Sequence, residues 1–451
     1  MLGIFLVLAG AAGAAEAPAT QECLGCHGDR DLKRSAPAPG RSTSVFVDEA
    51  GVKTSVHRRL ECVGCHKTAT VPHADRLPPV QCAECHQGAR AALSVGVHGS
   101  QRAVRARASA PTCAACHGTH AIAPAASLGV EGCSTCHRKE VETYTGSIHA
   151  RARRRGESGA ATCRSCHGET HALLAKADPR SPVYHLNLPR TCAQCHADPE
   201  LAKRYNIPPA NVYQLYMDSI HGRALSRSGL LVAANCSDCH GAHDVRPRTE
   251  PDSRVFRVNI PKTCGACHAG ILAVYGESVH GTRVARGDPR APVCSDCHTA
   301  HQIRRVEAAP WQLEAIRECG TCHEESLKTY RDTFHGKVTA LGYTRVAKCS
   351  DCHTAHAILP PSDPRSPVSP ANLVATCRQC HPQANAAFAE FHPHADQKNK
   401  ERFPKLYYTY LVMSALLVAV FTSFGLHALL WLPRSLVERI RRGQGKGRPD
   451  A

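Results

Sequence analysis

The sequence predicts a mostly α-helical chain with extensive loops. It reads as six tandem repeats behind one leading motif, with a small β-hairpin near 43–57 and one transmembrane-length helix near the C-terminus. Three observations carry this expectation. The chain of 451 residues holds 26 Cys and 29 His but only 5% aromatic residues. Every Cys falls within Cys-x-x-Cys-His, which occurs thirteen times. The octapeptide CSDCHTAH stands at Cys294–His301 and again at Cys349–His356, and CSDCHGAH at Cys236–His243 is a third copy with one change.

The thirteen motifs supply Cys23, Cys26 and His27; Cys62, Cys65 and His66; Cys82, Cys85 and His86; Cys113, Cys116 and His117; and Cys133, Cys136 and His137. They continue with Cys163, Cys166 and His167; Cys192, Cys195 and His196; Cys236, Cys239 and His240; and Cys264, Cys267 and His268. The last four are Cys294, Cys297 and His298; Cys319, Cys322 and His323; Cys349, Cys352 and His353; and Cys377, Cys380 and His381. No Cys is left over, which argues against disulfides and a free catalytic thiol. Zinc would explain paired Cys-x-x-Cys but not a histidine after every second cysteine. The motif is that of c-type haem attachment: two thioether links fix the porphyrin edge and the adjoining imidazole supplies the proximal nitrogen. Thirteen covalent c-type haems, each with its iron, are therefore expected, in a region of the chain exported from the cytoplasm.

The repeats divide at His57, His98, His149, His221, His280 and His335, several of them in a Ser/Thr-x-His phrase. Each repeat holds two motifs, and the motif at Cys23–His27 stands alone before them. After the first motif of each repeat comes another histidine: His120, His243, His301 and His356 three residues on, His171 four on and His73 seven on. With one of His392 and His394, in FHPHAD, these sets provide thirteen sixth ligands for thirteen irons. Methionine does not compete: Met1 and Met413 lie in terminal apolar segments, which leaves Met217 alone. Mostly bis-histidine haems of low potential follow. His185 fits no pattern.

Chain length restricts the pairing. Three residues span at most about 10–11 Å, and axial ligands approach opposite faces of a porphyrin. His301 therefore cannot serve the iron held by His298 and should reach a neighbour. The second motif of a repeat should lead into a helix, with the boundary histidine twelve residues later in His86/His98, His137/His149, His268/His280 and His323/His335. Tyr144, Tyr216, Tyr275 and Tyr330 each stand five residues before the boundary histidine. Gly99, Gly222, Gly281 and Gly336 follow it and suit a helix C-terminus. The third repeat departs, with Pro208–Pro209 in an insertion between His196 and His221. Thr43–His57 alternates apolar residues around Asp48–Gly51, which suggests the hairpin.

Both ends bear on location. Residues 1–15 read as a signal peptide, apolar from Leu2 and closing on small residues, although a basic start is missing. Leu406–Leu432 carries no formal charge, which at 1.5 Å per residue is about 40 Å of helix, enough to cross a bilayer with tilt. Tyr407, Tyr408, Tyr410 and Trp431 suit the two interfaces. The organisation expected is a signal at 1–15, a periplasmic haem region at 16–400, an inner-membrane anchor at 401–433 and a cytoplasmic basic tail at 434–451. Basic residues flank the apolar stretch on both sides, so the positive-inside rule orients it only weakly. His427 within it is a candidate ligand of a b-type haem at a partner interface or a hydrogen-bond partner of a neighbouring helix, with a structural role as the alternative.

The formal charge of +17 does not indicate nucleic acid. Counting two ionised propionates per haem brings the charge to about +4 when oxidised and about −9 when reduced. Many Lys and Arg side chains are thus expected to pair with propionates, and no nucleic-acid role is expected.

Over residues 20–395 the chain resembles the multihaem cytochromes c with paired Cys-x-x-Cys-His repeats, related in style to class III cytochromes. The segment from Phe391 to Leu436 resembles the C-terminal anchor of cytochromes that accompany an integral membrane cytochrome b. That resemblance implies a quinone-linked electron-transfer complex, with electrons passing along the haems to a periplasmic or outer-membrane acceptor. A multihaem oxidoreductase acting on a small nitrogen or sulfur oxyanion is the alternative. It needs an iron with an open axial position, and the first haem, at His27, lacks a nearby spare histidine and is the weakest place.

Overall fold

The computed structural model describes residues 19–35, 42–74, 76–99, 111–207 and 211–445. The signal expected at 1–15, the double proline Pro208–Pro209 and the end of the basic tail lie outside these. The chain divides into two compact units. The first comprises Met1–Cys264 with Ala300–Ile303, the second Gly265–Thr299 with Arg304–Ala451.

Among the described residues the chain is helical and looped, with no strand. The hairpin expected near 43–57 does not form. Its only trace is an isolated antiparallel bridge between Lys33 and Ser44. The expected turn is instead the start of a helix, Glu49–Thr54, because the Asp48 carboxylate caps it by accepting from the Ala50 and Gly51 amides. Glu49 and Lys53 then pair one turn apart.

In the first unit, short helices carry the motifs, among them Thr20–His27, Cys113–His117, Cys163–His167, Leu188–His196 and Cys236–His240. The helices expected after second motifs are present as Gln87–Val95 and Arg138–Thr145. The insertion of the third repeat contributes Pro199–Arg204, capped by Asp198, and Val212–Asp218. Gly222 does not end a helix. It lies in the first turn of Ile220–Ser228, where its amide donates to the capping Ser219 hydroxyl at 3.0 Å. A Cβ at that position would run into the Tyr216 carbonyl. The glycine that follows the boundary histidine thus permits one helix to abut the next, which reverses the expectation of a C-terminus.

The second unit repeats this construction. Ala269–Glu277 and Glu324–Asp332 are each followed by a helix capped by Ser278 or Thr333, namely Val279–Ala285 and Phe334–Ala340. Gly281 and Gly336 stand where Gly222 does, against the Tyr275 and Tyr330 carbonyls. The last helix, Pro404–Gly445, runs through Pro433 beyond the expected end of the anchor. Its stretch Pro404–Arg442 is long and apolar enough to cross a membrane, the mean hydropathy reaching 2.0 over an 18-residue window within it.

A buried loop recurs between motifs. In the first unit the Asn187 amide bridges the Pro179 and Ser181 carbonyls, and Asn259 does the same for Pro251 and Ser253. In the second, Asn372 bridges Pro364 and Ser366. Ser181, Ser253 and Ser366 are almost fully buried. Among the described residues eleven apolar side chains are buried, and five of them are the alanines Ala150, Ala202, Ala233, Ala291 and Ala384. This is a sparse aliphatic interior for a chain of this length.

Candidate haem sites

Each motif is held by local chemistry that the octapeptide spells out. In CSDCH the aspartate reaches back to the amide before the first cysteine: Asp238 to Asn235 at 2.8 Å, Asp296 to Val293 at 2.7 Å and Asp351 to Lys348 at 2.8 Å. This is half of a capping box, and it sets the start of the turn that presents both sulfurs and the histidine. After the histidine the backbone leaves through positive φ. Gly118, Gly168 and Gly241 adopt it with values of 75°, 85° and 84°. The octapeptide places Thr299 and Thr354 there instead, at 62° and 64°, a strained choice for a β-branched residue.

The histidine rings fall into facing pairs. In the first unit His27 lies opposite His73, His66 opposite His120, His57 opposite His86, and His117 opposite His171. His98 faces His137, His149 faces His196, His167 faces His243 and His240 faces His301. In the second unit the pairs are His280 with His323, His298 with His356, His335 with His381 and His353 with His394. Every pair joins a motif histidine to a boundary or post-motif histidine or, for His353, to His394 of FHPHAD. Ring centres are 5.8 Å apart in the closest pair and 6.3 Å in the widest.

That spacing suits one metal between two imidazoles. A metal–nitrogen bond of about 2 Å plus the nitrogen-to-centre distance puts each ring centre about 3 Å from the metal. With two cysteines beside one member of every pair, the residues present fit c-type haem. His301 faces His240, not its neighbour His298, and His298 faces His356 from the next octapeptide. His73 faces His27 with the rings 5° from parallel, so the first motif has a partner that lies distant in sequence. The His27 and His73 Nδ1 atoms hydrogen-bond the Val45 and Ala74 carbonyls at 2.9 and 2.8 Å, which leaves Nε2 of each for a metal. His221 falls in the first unit and His268 in the second.

Two histidines take other parts. His392 packs on Phe403 while His394 faces His353, which distinguishes the two candidates of FHPHAD. His185 donates from Nε2 to the Ala233 carbonyl at 2.8 Å, and its Nδ1 accepts from the Asn235 amide at 3.0 Å. Both ring nitrogens are thereby engaged in holding the residue that caps Cys236–His240.

Burial favours neutral imidazole, the form that binds metal. It pushes the His240 pKa down to about 4, with His301 and His196 adding to the effect. His149, His167, His196, His298, His301 and His353 are lowered in the same direction, chiefly by desolvation.

Two recurring bonds were not foreseen. The hydroxyl of each patterned tyrosine donates to the carbonyl two residues before the next motif: Tyr144 to Ala161, Tyr216 to Ala234, Tyr275 to Pro292 and Tyr330 to Ala347. The fixed spacing of these tyrosines was the available signal. The residue before a boundary histidine also donates its amide to the carbonyl two residues past a post-motif histidine. In the first unit these bonds join Val56 to Ile122, Val97 to Leu173, Ile148 to Val245 and Ile220 to Ile303; in the second, Val279 to Ile358. The two sets of spare histidines are thus stitched together by backbone.

The sulfurs give the order of the motifs. In the first unit the thiol of Cys23 lies near that of Cys62, Cys82 near Cys113, Cys133 near Cys163 and Cys192 near Cys236. Between these couples, Cys65 lies near Cys82, Cys116 near Cys133 and Cys166 near Cys192. In the second unit Cys297 lies near Cys319, Cys319 near Cys349 and Cys352 near Cys377. Within each unit, neighbours in sequence are therefore neighbours in space.

Residues 54–138, which contain four of the motifs, match the Cytochrome c3 family. No curated protein and no solved structure matches the chain. The family is one of multihaem cytochromes, so the match implies covalently bound c-type haem and suggests electron transfer.

Proposed function

We propose that the chain is a membrane-anchored multihaem cytochrome c with thirteen haems that carries electrons along its length. The observation that carries this reading is the facing of histidine rings about 6 Å apart, beside sulfurs that run from motif to motif in chain order. When bound, haem supplies one-electron chemistry. The chain's own residues do the rest. The motif histidine and its facing partner would hold the iron between them, and the tyrosine bonds fix where the motifs at Cys163, Cys236, Cys294 and Cys349 begin, with aspartate bonds added at the last three. Within the second unit, the short link from His353 to His356 would hold two metal centres near each other.

Closed axial positions disfavour the rival reading as an oxyanion-transforming enzyme. Its best candidate was the first motif, and His73 opposite His27 removes that opening. The apolar helix Pro404–Gly445 would anchor the haem region outside the inner membrane. A quinone-linked subunit such as an integral membrane cytochrome b is the donor this placement suits, with a periplasmic or outer-membrane acceptor.

Reduced-minus-oxidised spectra with and without carbon monoxide test the reading on the purified full chain. Wholly low-spin haem, thirteen per chain and inert to carbon monoxide, is expected. A substantial high-spin, carbon-monoxide-binding fraction would overturn it. Co-purification of a b-type spectrum tests the membrane partner separately.

A further inference from the structure

The facing imidazoles differ in the angle between their planes, and in the first unit the difference is ordered. Taken by motif histidine along the chain, His66 makes 32° with its partner, His86 46°, His117 23°, His137 52°, His167 12°, His196 66° and His240 11°. The first motif, at His27, makes 5° with His73 and stands before the pattern; from His66 onward low and high values alternate, and the contrast grows along the chain.

The alternation follows the kind of partner. Low angles belong to the post-motif histidines His120, His171, His243 and His301, and high angles to the boundary histidines His57, His98 and His149. These sit on different backbone. His149 lies in the first turn of Ile148–Arg154 behind the Ser147 cap, whereas His171 and His243 follow the positive-φ glycines Gly168 and Gly241. The orientation of each ring is thus set by local structure that the repeat copies.

Plane angle matters to a bis-imidazole iron. Each ring donates π density into the iron d orbital perpendicular to its own plane. Parallel rings raise one orbital and leave the hole of the ferric ion there, which stabilises the oxidised state. Crossed rings raise two orbitals nearly equally, so that stabilisation is smaller and the reduction potential higher. We infer that the first unit alternates two electronic kinds of haem, with higher-potential sites at His86, His137 and His196 separated by lower-potential sites at His117, His167 and His240. Each step moves one electron between irons, with no bond or proton transferred. The unit would then hold electrons at every second site, and a through-going electron crosses a low-potential site between two such stores. This rests on the bis-histidine reading above.

Electron paramagnetic resonance of the oxidised full-length protein tests it directly, because nearly degenerate orbitals give a large principal g value and split orbitals give a rhombic spectrum. A large-g component of about three spins is expected from the crossed pairs His57–His86, His98–His137 and His149–His196. During reductive titration it should disappear before the rhombic component. His149→Met should subtract one spin from the large-g component and take none from the rhombic one, which gains whatever spin the new His/Met site contributes. A single rhombic envelope, or loss from the rhombic component in His149→Met, would overturn the alternation while leaving the low-spin reading intact. High-spin signals would overturn both.

Discussion

Tyr216 and its counterparts show how one hydroxyl can govern a cofactor site it does not touch. The Tyr216 bond to Ala234 at 2.9 Å fixes the strand of chain entering the motif at Cys236. Tyr216→Phe keeps the ring and removes the bond, at a cost of about 1 kcal/mol, and a lowered thermal midpoint of the holoprotein would check it. Gly281 is less forgiving. Gly281→Ala places a methyl against the Tyr275 carbonyl, and overpacking of this kind costs about 1–3 kcal/mol, which should appear as a larger drop in the same midpoint. The glycine was visible in the sequence at its fixed place after the boundary histidine. Its reason was not, because a glycine at a helix end and a glycine where two helices abut occupy the same position in a pattern. Only the capping bond to Ser278 distinguishes them.

At the scale of the element, the octapeptide is a coupler. That His301 would not share a centre with His298 was legible from chain length alone, since three residues cannot bring two ligands to opposite faces of one porphyrin. Which centre it serves depends on how distant segments pack, and the ring of His240 opposite answers that. His301→Met should therefore perturb the spectrum of the haem attached at Cys236 and Cys239, as site-resolved redox spectra would report. A change confined to the haem at Cys294 would contradict the pairing. The hairpin near 43–57 was misread because alternation over a few residues does not outweigh a capping aspartate. The turn at Asp178 carries a pH dependence. Its carboxylate accepts from the Arg180 side chain and amide, which holds its pKa at about 2. A lowered carboxylate pKa stabilises the fold above the ordinary carboxylate range and loses that contribution as pH falls toward about 2. Asp178→Asn should flatten the acid limb of stability below about pH 4, measured as unfolding midpoint against pH.

For the whole molecule, the count of motifs and the apolar helix were readable, because attachment chemistry and hydropathy are local. The ordering of motifs in space was not, since it depends on sulfurs such as Cys166 and Cys192 meeting across a loop. Removing residues 404–445 should release a haem-loaded protein from membranes into the soluble fraction, with its visible spectrum unchanged. Fractionation and spectroscopy together would check this. The amide-to-carbonyl bonds between successive sets of spare histidines have a consequence for how such a chain changes length. Ile148 meets Val245 and Ile220 meets Ile303 through the same pair of atoms, so each junction presents the same plug and the same socket. Excising residues 150–221 would leave Ile148 to meet Ile303. The reach of the protein is then an editable quantity, adjustable by whole periods without redesign of any joint.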